Sequence, residues 1–466
     1  MKGSVMSRLK TLIACGMVVW CIALTAGCGE NAESAGPPAA PGRAKNVIVM
    51  IADGWGFNHV DAASLYQYGK TGGQVYEGFP VRLAMSTFAT GGSYDAGKAW
   101  ADFNYVTKGA TDSGAAATAM STGMKTFIGA IGVDETKASA AHMAERAEAL
   151  GKASGVVSSV LFCHATPAGF SVHNEKRGNY REIAEAMILE SRLDVIMGAG
   201  HPWYDKAGTL VATFDEAGNL VAPRGYDRLG GPAAWLALVT GTAGGDADGD
   251  GIADPWRFVH TRSQFQAMMT GPAPRRVFGL AQVQSTLQAD RAGDPKAAPY
   301  AVAPLEHVPT LAEMARAALN VLDEDPDGLF LMIEGGAVDW ASHGNRSGRM
   351  IEEMIEFNRA VEFVVDWVET HSSWDETLVI VTGDHETGYL TGPDSKPEWR
   401  SLVNNGKGKL PGMRWNRRGH TNSLIPFFAK GAGAKRFLEL ADETDPKRGS
   451  VIDNTELAKA VFELMR

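Results

Sequence analysis

The chain has 466 residues and is acidic: 54 Asp and Glu against 44 Lys and Arg give a formal charge of −10. That balance leaves no basic surface for a phosphate backbone and excludes nucleic acid as a partner. Three of the four Cys lie within the first 28 positions, so Cys163 stands alone in the body and no internal disulfide can form.

Lys2, Arg8 and Lys10 precede an apolar run from Leu12 to Ala26, the pattern of a secretory signal and short for a membrane span. The run ends Leu24-Thr25-Ala26-Gly27-Cys28-Gly29, which is similar to the lipobox of bacterial lipoproteins, with Thr25 where Leu is more usual. The expectation is a leader over 1–27 and a lipidated Cys28, anchoring an exported protein that faces the periplasm or cell exterior. A cleaved signal with an incidental Cys is the alternative. Residues 28–45, rich in Ala, Pro, Gly and Ser, read as a flexible tether.

The body starts with a continuous apolar run, Asn46–Ala52, typical of a strand buried on both faces. Similar runs follow at Ser154–Val160, Asp194–Met197, Leu329–Ile333, Thr377–Val381 and Pro426–Ala429. Helical patterns lie between and after them, at Ala138–Leu150, Tyr180–Ser191, Thr310–Leu322, Met350–Thr370 and Asn454–Met465. This alternation predicts an α/β fold over 46–466: a three-layer sandwich with a mostly parallel central sheet flanked by helices. Ligands then gather at the carboxyl edge of the sheet. Stretches at about 200–304 and 391–418 break the pattern and read as loop-rich insertions at that edge.

The chemistry-bearing residues cluster at predicted strand ends. Asp53, Glu334 and Asp384 each follow a strand, and Asp339 and His343 stand at i,i+4, on one face if the segment is helical. His385 adjoins Asp384, and His420 could complete a third ligand beside Asp339 and His343. Glu334 with a hydroxyl such as Thr166 offers a hard oxygen site suited to Mg²⁺. The mixed Asp/His sets suit Zn²⁺, with Co²⁺ or Mn²⁺ as substitutes. In TDSGAAAT, Ser113 precedes an Ala-rich helical run and serves there either as helix cap or as nucleophile.

These motifs, in this order, resemble the alkaline phosphatase family of metal-dependent phosphomonoesterases. The resemblance implies that Ser113 is the nucleophile that becomes phosphorylated, and that Arg177, eleven residues after Thr166, binds phosphate. It implies a first zinc on Asp339, His343 and His420, a second on Asp53, Asp384 and His385, and magnesium on Asp53, Thr166 and Glu334. His164 and Trp340 stand where the enterobacterial pattern has Asp and Lys, near the magnesium and the phosphate. The implied substrates are small phosphate monoesters, and a homodimer is implied because family members often pair.

Two further readings are kept. DADGDGIAD, with Asp246, Asp248, Asp250 and Asp254, is similar to the opening of a Ca²⁺ loop but has Arg257 at the twelfth position, so a structural Ca²⁺ site and a solvated acidic turn remain open. Alternative functions are a phosphodiesterase or nucleotide pyrophosphatase of the same superfamily, and a non-catalytic metal- or phosphate-binding lipoprotein. A sulfatase is disfavoured because Ser113-Gly114-Ala115 lacks the C/S-x-P-x-R pattern.

Overall fold

A computed structural model describes residues 42–466, apart from 217 and 219. The leader, the lipidation candidate Cys28 and most of the expected tether lie outside the described residues. Among the described residues no helix is long and apolar enough to cross a membrane.

Eleven strands form one sheet: β1 (Asn46–Ile51), β2 (Val81–Ser86), β3 (Ala153–Leu161), β4 (Val195–Ala199), β5 (Arg257–Val259), β6 (Val277–Leu280), β7 (Leu329–Glu334), β8 (Thr377–Thr382), β9 (Ile425–Gly431), β10 (Glu443–Asp445) and β11 (Gly449–Asp453). Their spatial order is β10-β11-β2-β9-β8-β1-β7-β3-β4-β6-β5. Only β9 and the short β10 run against the others. The central strands NVIVMI, LFLMIE and TLVIVT are buried at every position, as strands covered on both faces must be. Helices flank the sheet in two groups. Phe57–Tyr68, Leu311–Leu322 and Ser347–His371 pack together, as do Ser113–Thr122, Met143–Glu148 and Asn454–Leu464. This is the expected three-layer α/β sandwich.

Local chemistry sets the helix ends. Thr310 Oγ1 accepts from the Glu313 amide at 3.1 Å while the Glu313 carboxylate accepts from the Thr310 amide at 2.9 Å, a reciprocal cap. The helix expected over 138–150 is shorter, Met143–Glu148, because His142 and Glu145 cap it in the same reciprocal way. The stretch 200–304 is more than loop over the sheet edge: β5 and β6 within it extend the central sheet in parallel. Their runs of three and four residues are too short for periodicity to show.

Register decides where the site lies. Ile51 at the end of β1 is level with Thr382 of β8 on one side and Glu334 of β7 on the other. Three parallel strands therefore finish together, and whatever follows them shares one small volume. Beneath it sits Trp55, fully buried against Tyr76, Phe357 and Phe428 at ring separations of 5.5, 5.7 and 6.5 Å. Its indole also packs on Gly383, where a Cβ would stand 2.2 Å from Trp55 Cδ1. Trp55→Ala is expected to destabilise the fold by about 3–5 kcal/mol, because the cavity cannot collapse under three fixed strands. A lowered unfolding midpoint in urea checks this, and an unchanged midpoint would refute it.

Candidate active site

Asp53 leaves β1 into Gly54, whose φ is 77°. A Cβ on Gly54 would lie 2.8 Å from the Asp339 Cα, so only glycine lets these two chains approach. The Gly54 amide donates to Asp384 Oδ1 at 2.9 Å and the His385 amide donates to the same oxygen at 2.8 Å. The sequence-predicted ligands thus converge. One ligand atom each from Asp339, His343 and His420 lie within 4.8 Å of one another; so do those of Asp53, Asp339 and His385, and those of Asp53, His164 and Glu334. Asp384 joins through His385, whose Nε2 is 3.2 Å from Asp384 Oδ2 and 3.7 Å from Asp53 Oδ1.

The donor set fits divalent cations. Both Asp53 oxygens, Asp384 Oδ2, Glu334 Oε1 and Thr166 Oγ1 are buried without a hydrogen-bond partner. Unpartnered buried carboxylate oxygens are costly unless a positive charge meets them. Burial and the charges of Asp384, Asp339 and Glu334 hold the Asp53 carboxyl well above the ordinary range. Burial pushes Glu334 up to about 8, although the Ser158 hydroxyl donates to its other oxygen. The histidines are oriented for the same purpose. The His420 Nδ1–H donates to the Thr111 carbonyl at 2.8 Å, and the His343 Nδ1–H donates to that of Arg418. Each ring then presents its Nε2 lone pair, and the two Nε2 atoms stand 3.1 Å apart. Lone pairs so close repel unless a proton or cation lies between them. Asp339 faces both rings, at 3.4 and 3.6 Å, which suits a cation held by all three.

Ser113 is settled as the first helical residue, not the cap. Asp112 caps the helix, accepting from the Ala115 amide at 3.1 Å. The Ser113 hydroxyl makes no cap bond; at the positive end of the helix it lies within hydrogen-bond distance of His385 Nε2, at 3.3 Å. The helix itself is buried throughout, and its small side chains let Gly169 approach Ala117 to near contact, which ties Ser113 to the Thr166 segment.

Asp112 has a second task. Its Oδ2 accepts from Arg177 Nη1 at 2.7 Å, and its Oδ1 accepts from the Gly129 amide at 2.9 Å. The Arg177 amide in turn donates to the Gly129 carbonyl at 2.8 Å. Burial opposes the charge on Arg177, and Asp112 more than restores it, so its pKa is raised. Arg177 Nη2 lies 3.4 Å from His164 Nε2. Burial, then the charges of Arg177 and Arg228, lower His164 to about 3, so the ring is neutral. Trp340 packs edge-on against it at 5.7 Å, so the two departures from the enterobacterial pattern touch each other.

Sequence reading missed the supporting residues. Thr387 donates to Asp339 Oδ1 at 2.5 Å and lies 3.4 Å from His385 Nδ1. Its two-residue spacing from His385 is the signal that could have found it. Ser158 and the Thr111 carbonyl carry no sequence signal, because their roles depend on distant chain. Cys163 is buried and its thiol is pushed up to about 12 by burial, as an inert residue's would be. In the acidic loop, Asp246, Asp248 and Asp250 come together but Asp254 does not join them; it accepts from the Ala247 amide, and Arg275 sits 2.9 Å from Asp248.

A family model for alkaline phosphatase matches residues 44–416. Alkaline phosphatase 3 of Bacillus subtilis (strain 168) is 30% identical over 91% of this chain and 89% of its own length. Alkaline phosphatase of Escherichia coli (strain K12) is 29% identical over 86% of this chain and 84% of its own. The fold is shared with a His-to-Glu mutant of the alkaline phosphatase from the Antarctic bacterium TAB5, solved with Mg bound in its M3 site. The TM-score is 0.59 at 23% identity, covering 91% of this chain and 99% of that one. With its motifs gathered at one sheet edge and these relatives spanning nearly its whole length, the chain belongs to the alkaline phosphatase family and is a phosphate monoester hydrolase.

Proposed function

We propose that the chain hydrolyses small phosphate monoesters through a phosphoserine on Ser113, with two zinc ions and one magnesium ion as resident cofactors. The observation that carries this reading is the Ser113 hydroxyl, not used as a cap and aimed at His385 from a helix start whose cap, Asp112, also fixes Arg177. Asp339, His343 and His420 would hold the first zinc, Asp53, Asp384 and His385 the second, and Asp53, Thr166 and Glu334 the magnesium. Bound there, the ions supply Lewis acidity that favours an ionised hydroxyl and offsets charge on phosphoryl oxygens.

Arg177 presents a planar fork to two non-bridging oxygens, and Asp112 holds that fork in place. Ser113 Oγ gives up its proton and attacks phosphorus. The bond from phosphorus to the ester oxygen breaks, and the alcohol leaves carrying a proton. Water then attacks the phosphoserine, the Oγ–phosphorus bond breaks, and inorganic phosphate is released with the Ser113 hydroxyl restored. The positive helix end favours the Ser113 oxyanion and offsets part of the cost of ionising a buried hydroxyl. Export, lipid attachment at Cys28 and pairing into a homodimer belong to the same proposal and rest on sequence and family resemblance.

Ser113→Ala is expected to lower kcat on p-nitrophenyl phosphate by roughly three orders of magnitude or more, with no phosphoenzyme trapped in acid-quenched single turnovers. Full activity in that variant would end the phosphoserine reading. Chelation should remove about two orders of magnitude or more of the activity, and Zn²⁺ with Mg²⁺ should restore it. Bis-p-nitrophenyl phosphate should remain the poorer substrate; equal or faster diester turnover would favour the phosphodiesterase alternative.

Asp112→Asn separates orientation from folding, since Asn caps a helix as well as Asp does. Losing the charged hydrogen bond to Arg177 should raise KM about tenfold while kcat falls less. A kcat loss at unchanged KM would contradict the role given to Asp112.

A further inference from the structure

At the carboxyl end of β4 a cleft of about 270 Å³ opens to solvent, with His201, Tyr204, Arg224, Asp227, Arg228 and Gln284 among its walls. Contacts through the chain join it to the corner where Arg177 meets His164. Cys163 Sγ donates to the Arg228 carbonyl at 3.5 Å, and Cys163 immediately precedes His164. The Arg228 guanidinium stands 5.3 Å from the centre of the Tyr180 ring, and Tyr180 opens the helix three residues after Arg177.

The cleft is built for negative charge. Arg224 and Arg228 are exposed on the same wall, and neither has an ion-pair partner among the described residues. Asp227 is the one acid among the lining residues, so the walls carry a net positive charge in a protein whose formal charge is −10. Tyr204 accepts from the Gln282 side-chain amide at 2.7 Å, which leaves its own proton free to donate. Two guanidinium groups without ion-pair partners, a phenol and a concave wall open to solvent suit a phosphate or carboxylate.

We propose that this cleft is a second anion subsite, and that favoured substrates are phosphate monoesters whose alcohol portion carries another phosphate or carboxylate. The inference rests on the phosphomonoesterase reading above. One anion is taken at Ser113 and Arg177 for reaction, while the other is held by Arg228 and Arg224 and does not react.

The test compares the metal-loaded enzyme on alkyl monophosphates and on α,ω-alkanediol bisphosphates of graded chain length, at low ionic strength. After halving for its two equivalent ends, the bisphosphate of best length is expected to exceed its monophosphate in kcat/KM by about tenfold, through KM. The Arg224→Gln, Arg228→Gln double variant should bring that ratio near one, Arg228→Lys should keep much of it, and added salt should shrink it. A ratio near one at every length in the parent enzyme, or a ratio untouched in the double variant, overturns the subsite. If p-nitrophenyl phosphate is turned over while the ratio is flat, only the subsite falls. If no monoester is turned over, the reading beneath it falls and takes the subsite with it.

Discussion

Four carboxylates, those of Asp53, Glu334, Asp339 and Asp384, are buried together at the ends of three level strands, and the rest of the molecule is arranged to keep them there. Two unit charges a few ångströms apart repel by about 4 kcal/mol even at an effective dielectric of 20. Contacts within the cluster supply little of the force that holds it closed. It comes from β1, β7 and β8, whose apolar side chains are buried on both faces, and from Trp55 packed beneath the loops that follow β1 and β8. The sheet thus fixes the separation of like charges, and the charges in turn create a standing demand for cations. Hydrogen bonds do only part of this work. Asp384 receives two backbone amides on one oxygen, while its other oxygen and both of those on Asp53 receive none.

A second electrostatic layer lies beside the first and has the opposite sign. Asp112 is the hinge between them. One carboxylate caps the Ser113 helix, pins the loop at Gly129 and holds the Arg177 fork. The nucleophile and the phosphate-binding cation are therefore positioned by the same two oxygens, and neither can drift without the other. This economy explains why a residue of such ordinary appearance stands at the centre of the proposed mechanism.

The central strands were readable because a strand buried on both faces is mostly apolar: β1, β7 and β8 are nearly continuous apolar runs, and β3 is buried throughout although Ser154, Ser158 and Ser159 interrupt it. The strands β2, β5, β6, β10 and β11 were not read. Their runs are short or broken by polar residues such as Arg82 and Asp445, and their strand character comes from neighbours supplied by distant chain. The same division runs through the site. Asp53, Asp339, His343, Asp384, His385 and His420 sit in local motifs and were legible with Ser113. Thr387, Ser158 and the carbonyls of Thr111 and Arg418, which orient those groups, act through tertiary contacts that no spacing encodes. Whether Ser113 capped its helix or was free of it was likewise undecidable from one strand of letters. Asp112 and Ser113 are both good caps, and only the amide geometry at Ala115 separates them.

His164 and Trp340 form a corner of the site in which this chain departs from the enterobacterial pattern. Where the enterobacterial pattern carries an Asp and a Lys, this chain carries an imidazole kept neutral by burial and an indole packed against it. One negative and one positive charge are absent together, so the pair leaves the net charge unchanged. The proposed third metal site changes more. Its charged ligands are reduced to Asp53 and Glu334, and a nitrogen donor stands where a hard oxygen would. Hard, strongly hydrated cations bind through anionic oxygen, while imidazole favours softer ions. On the proposed reading, the exchange would weaken the preference for magnesium over zinc or cobalt at that position.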